Sequence, residues 1–118
     1  MWSYFAKIQL VIMTVEITVE ELKARLDHGE KMTLIDVREP EEYAICHLEG
    51  ARHIPMNELP THLDGLKNDD FLVLYCHYGN RCAQATLWLR QNGFENVRNL
   101  EGGIDAWAQI IDPSMARY

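Results

Sequence analysis

The sequence predicts an α/β domain whose parallel sheet is covered on both faces. Two observations carry this. Short apolar runs of strand length alternate along the chain with helical patterns, which is how parallel strands and their crossover helices are written. One of these runs, Phe71 to Tyr75, ends at Cys76, turns through Gly79 and passes into a helical pattern that stops at Gly93. With 118 residues the chain has the size of one domain with a real core.

The elements follow in order. Ile17 opens a short edge strand. Thr18-Val19-Glu20-Glu21 reads as a capping box in which the Thr18 hydroxyl and the Glu21 carboxylate each satisfy an orphan N–H. Leu22, Ala24 and Leu26 continue that helix, and Gly29 closes it. Met32 to Val37 reads as a buried strand. Pro40 suits the first turn of a short helix through Glu41, Glu42 and Tyr43. Ala51 to Ile54 is a second short strand, ended by Pro55. Asn57, Pro60 and Gly65 break the stretch from Met56 to Leu66 into short helical turns. Asn68-Asp69-Asp70 is a solvated turn into the strand that ends at Cys76. A helix from Cys82, a last strand from Asn96 to Leu100 and a helix from Gly102-Gly103 through Trp107 complete the chain.

Composition narrows the function. The chain is 47% hydrophobic and 25% charged, ordinary for a globular protein. A net charge of -7 argues against a nucleic-acid surface, which needs clustered Lys and Arg. Three cysteines, without the spacing of a disulfide framework, suit a reducing, cytoplasmic setting. No metal-ligand spacing occurs, and no cofactor is implied. Trp2, Tyr4, Phe5, Ile8, Leu10, Val11 and Ile12 make residues 1–13 apolar, yet too short to span a bilayer and unlike a signal peptide. We expect an extension outside a core domain of residues 14–118, with Met13 a natural start. The alternative is an extra element packed on the domain or on another chain.

Cys76 stands at the carboxyl end of a strand and just before a helix, where open α/β folds place their sites. N–H groups of the loop and first helical turn lack intrahelical partners, and the dipole is positive there. A thiol so placed loses its proton more readily and becomes a better nucleophile. The plainer alternative is a buried cysteine at a strand end.

The stretch from Leu74 to Ala85 resembles the active loop of the rhodanese family of sulfurtransferases. Three other stretches resemble that family's signatures, in its order: Leu34-Ile35-Asp36-Val37-Arg38-Glu39-Pro40-Glu41-Glu42-Tyr43, His47-Leu48-Glu49-Gly50-Ala51-Arg52-His53-Ile54-Pro55 and Leu100-Glu101-Gly102-Gly103-Ile104-Asp105-Ala106-Trp107. The likeness is to its small, single-domain members. It implies a three-layer α/β/α domain with a five-stranded parallel sheet. It also implies that Cys76 takes the outer sulfur of a donor such as thiosulfate, becomes a persulfide, and passes that sulfur to cyanide or a thiol.

In that chemistry His77, Tyr78, Gly79, Asn80, Arg81 and Cys82 form the substrate-binding loop, whose inward N–H groups hold the anionic sulfur. His77 is expected to be a loop residue rather than a base. Arg81 reads either as a cation that draws in an anionic donor or as one paired to a surface carboxylate, and we favour the first. Asp36 and Arg38 are expected to tie loops together beside the site. His47, His53 and Trp107 are assigned no chemistry. Two residues depart from the family pattern: Cys46 stands where glycine is usual, and Cys82 where serine is common. The partners implied are a small anionic sulfur donor and a thiol or cyanide acceptor. A sulfur relay between proteins is the alternative. A Cys-dependent phosphatase or arsenate reductase fits less well, because such loops place five residues between cysteine and arginine and this one places four.

Overall fold

The computed structural model describes residues 15–67 and 70–118. The apolar opening over residues 1–13 lies outside the described residues, as do Asn68 and Asp69 of the expected turn. Five strands are present: β1 (Glu16–Ile17), β2 (Thr33–Asp36), β3 (Arg52–His53), β4 (Leu72–Tyr75) and β5 (Val97–Leu100). The helices are α1 (Val19–Asp27), α2 (Pro40–Ile45), α3 (Asn80–Gln91) and α4 (Gly103–Ile110), with a 3-10 segment at Met56–Gly65. The sheet order is β1-β5-β4-β2-β3, and every pairing is parallel. The five-stranded parallel sheet with helical cover is therefore as expected.

Alternation along the strands builds the two cores. Ile35, Leu72 and Leu74 point to one face and pack with Cys82, Ala85 and Leu89 of α3 and Leu59 of the 3-10 segment. Leu34, Val73 and Tyr75 point to the other and pack with Leu22 of α1 and Ile104 of α4. Strands that bury both faces read as continuous apolar runs, which is why Leu72 to Tyr75 carries no polar residue.

Several boundaries differ from the sequence reading. The Thr18 hydroxyl does accept from the Glu21 N–H at 3.1 Å. The Glu21 carboxylate, however, turns to Arg25 at 3.3 Å, so only half of the expected capping box forms. The Met56 stretch is a continuous 3-10 run with Pro60 inside it rather than separate turns. The helix expected from Cys82 begins at Asn80. Gly79 adopts φ 99°, a left-handed conformation that reverses the chain in one residue, so the helix starts at once. The last helix runs to Ile110, beyond Trp107.

Candidate active site

The loop grows out of β4, the middle strand, flanked by β2 and β5. Cys76 follows the strand directly and is 1% exposed. With Gly79 as the cap residue, Arg81 and Cys82 occupy the second and third helical positions, whose N–H groups have no intrahelical acceptor. The early helix start thus places those donors within reach of the cysteine. The Gly79 N–H donates to the Cys76 sulfur at 3.2 Å. Hydrogen bonding from the Cys82 thiol is the main cause that holds the Cys76 thiol down, to about 6. Burial opposes it, and the N–H groups of Cys82, Gly79 and Arg81 add to the lowering. The Cys82 sulfur also lies 3.4 Å from the Gly79 carbonyl oxygen. One S–H proton thus has two acceptors, and the charged thiolate is the stronger. Cys82 itself is pushed far above the usual thiol range, chiefly by that same bond and then by burial.

A second helix fixes the loop from behind. The N–H groups of Ile104 and Asp105, at the start of α4, donate to the carbonyl oxygens of Cys76 and His77 at 2.9 and 3.0 Å. Gly103, the residue before Ile104, has φ 63°, and a methyl group there would collide with both of those carbonyls. The loop's first peptide groups therefore turn their oxygens away from the thiol, toward α4.

Asp36 and Arg38 lie at the end of β2, both 0% exposed. The Arg38 Nε and Nη2 donate to Oδ1 and Oδ2 of Asp36 at 2.9 and 2.6 Å. Nη2 also reaches the Cys46 carbonyl at 2.5 Å, and Nη1 reaches the Glu42 carbonyl at 3.3 Å. The remaining Nη1 bond goes to the Tyr118 hydroxyl at 2.8 Å. All five guanidinium N–H bonds are thus engaged, tying β2 to the segments after it and to the chain's last residue.

Tyr118 and Glu42 were not singled out in the sequence. The Tyr118 hydroxyl donates to Glu42 Oε2 at 2.7 Å, and its ring stacks on His77 with centroids 3.8 Å apart. His77 stacks in turn on Tyr78, also at 3.8 Å, so its imidazole is one layer of a three-ring stack. Arg81 grips the same Glu42 carboxylate with Nη1 and Nη2 at 3.2 and 2.9 Å. This is the carboxylate pairing weighed as the alternative for Arg81. Glu42 is held down to about 2; burial acts against this, and the bonds from Arg81, Tyr118 and the Glu39 N–H outweigh it. Tyr78 and Asn80 are exposed at the rim. Cys46 is half-buried, and His47 stacks on Tyr43.

The profile of the rhodanese-like domain matches residues 18–110, most of the chain. The chain belongs to the rhodanese-like family. Its relatives include a sulfurtransferase of Allochromatium vinosum, 39% identical over 104 residues that cover 88% of this chain and 97% of that one. MoeZ of Mycobacterium tuberculosis, whose name couples adenylyltransferase and sulfurtransferase, is 42% identical over 104 residues. That match spans 86% of this chain but only 26% of MoeZ, so this rhodanese-like chain spans about a quarter of that relative's length. Among solved structures, the human single-domain sulfurtransferase TSTD1 superposes with a TM-score of 0.76 at 31% identity, covering 81% of this chain and 96% of that one. No helix among the described residues of this rhodanese-like chain is long and apolar enough to cross a membrane.

The lowered thiol gives an expected pH profile. Thiolate is the attacking form, so the rate of Cys76 alkylation should fall about tenfold per unit below pH ~6 and level off above it. Cys82→Ala removes one donor to the thiolate and should move that midpoint up by about one unit, while Cys82→Ser, which still carries a donor, should move it far less. Stopped-flow alkylation of Cys76 across pH checks both.

Proposed function

We propose that this chain is a sulfurtransferase that carries sulfane sulfur as a Cys76 persulfide. The observation that supports it best is the convergence on one buried sulfur of the Gly79, Arg81 and Cys82 N–H groups and the Cys82 thiol. Such a cradle stabilises a thiolate before reaction and an anionic persulfide after it, with no general base. With thiosulfate as donor, the Cys76 thiolate attacks the outer sulfur and sulfite departs with the electron pair of the broken S–S bond. Cyanide or a thiolate then attacks the outer sulfur of the persulfide, and Cys76 leaves as thiolate. His77 to Cys82 act as the binding loop, and Asp36 and Arg38 brace it. The set of donors suits one sulfur atom better than the three oxygens of a phosphate, which weighs against the phosphatase reading.

A relay in which a protein supplies or receives the sulfur uses the same persulfide. Tyr78, 57% exposed on the loop itself, offers an apolar contact for such a partner. Intact-mass measurement tests the proposal. Thiosulfate should add one sulfur atom at Cys76, and cyanide should remove it. No adduct from thiosulfate or from any persulfide donor would refute it.

A further inference from the structure

Every guanidinium bordering the loop is matched by a carboxylate. Arg38 is engaged with Asp36, Arg81 with Glu42, and Arg117 with Asp105 at 3.0 and 3.2 Å. Arg38 is also fully buried. Arg81 is 46% exposed at the rim, the best placed of the three to meet a donor, yet both its terminal nitrogens face one carboxylate. That carboxylate is not free to swing away. The Tyr118 hydroxyl holds Oε2 at 2.7 Å and the Glu39 N–H holds Oε1 at 3.1 Å. The chain as a whole carries a net charge of -7.

Resting on the sulfurtransferase reading, we propose that Glu42 withholds the Arg81 charge from the donor, so that the site selects a thiol-borne persulfide, which carries at most one negative charge, over the dianion thiosulfate. The chemistry separates the two donors. Thiosulfate must bring two negative charges up to a thiolate, and the loop's N–H dipoles meet that repulsion without help from an unpaired guanidinium among the described residues that border the loop. A persulfide carries at most one negative charge, and its protonated fraction is the form attacked. The Cys76 thiolate attacks the outer sulfur of R–S–SH, the S–S bond breaks, and R–S⁻ leaves with the electron pair. Cys76 then carries S–SH. Charge and atoms balance, and no dianion enters. Glu42 acts here as a positioning residue, through Arg81.

The test compares wild type, Glu42→Gln and Glu42→Asp. For each, kcat/KM is measured with thiosulfate and with the persulfide of 2-mercaptoethanol. The rates of Cys76 alkylation by iodoacetate and by iodoacetamide are measured beside them. Glu42→Gln should raise the thiosulfate-to-persulfide ratio about fivefold, the upper range for uncovering one partner of an exposed ion pair. It should raise the iodoacetate-to-iodoacetamide ratio in the same direction, and both rises should shrink as ionic strength increases. Glu42→Asp, which keeps the charge, should stay nearer wild type in both ratios. Ratios that are unchanged or fall in Glu42→Gln overturn the proposal, because Glu42 would then be presenting Arg81 to the donor. The alkylation ratio does not depend on sulfur transfer. If neither donor loads Cys76 in the wild type, the sulfurtransferase reading fails, while the charge at the mouth is still read.

Discussion

Cys76→Ser should lose sulfur transfer by about 10⁴-fold or more, with the fold intact. The cradle explains the size of the effect. Its N–H groups and the Cys82 thiol lower a thiol to about 6, but a serine hydroxyl starts so much higher that the same donors leave it neutral at any working pH. Even a small alkoxide fraction would form an O–S bond rather than a persulfide. The substitution trades sulfur for a smaller oxygen at a buried position, so stability should change by only about 1 kcal/mol. The measurement is thiocyanate formation alongside intact mass and thermal melting. Cys46→Ser is the control, and it should keep the adduct. Wild-type turnover in Cys76→Ser would remove Cys76 from the mechanism.

Arg38→Ala should cost the fold about 3–5 kcal/mol, since it strands the buried Asp36 carboxylate without its partner. Against a total stability of about 5–15 kcal/mol, that is enough to leave a large unfolded fraction. The other bonds of Arg38 make matters worse, because the Cys46 and Glu42 carbonyls and the Tyr118 hydroxyl each lose a donor at once. Replacing both members of the pair, as Asp36→Leu with Arg38→Met, should recover much of the loss, because no lone charge is left behind. Urea unfolding of Arg38→Ala and of the double variant gives the comparison. A single-variant loss below about 1 kcal/mol would mean that water or a neighbouring cation takes over the carboxylate.

What could be read in advance depended on how local the determinant was. Cys76 was legible because a strand, a glycine and a helix follow one another without a gap, and that order fixes where a side chain sits. Asp36 and Arg38 were legible as a brace because they lie two residues apart at a strand end. The start of α3 was misplaced by two residues, since the left-handed turn at Gly79 saves chain that was assigned to the loop. Glu42 entered the sequence reading only as one residue of a short helix, and Tyr118 did not enter it. They lie 76 positions apart, and nothing in either neighbourhood announces the other. Only packing brings them together. The pairing of Arg81 with Glu42 spans 39 positions and was hidden for the same reason.

The division of labour within the loop bears on how such a site can diverge. The groups that hold the Cys76 sulfur are mostly main-chain N–H bonds, which every residue but proline supplies. The positions that resist drift are two glycines in left-handed conformations. Gly79 holds φ 99° with the Gly102 N–H and the Leu100 carbonyl close behind it, and at Gly103 a methyl group would collide with the carbonyls of Cys76 and His77. Side chains such as Tyr78, more than half exposed, can change with little disturbance to the cradle behind them. If the site transfers sulfur as proposed, descendants of such a chain are free to exchange one donor or acceptor for another by altering rim residues, while the electrophile-handling centre is inherited whole.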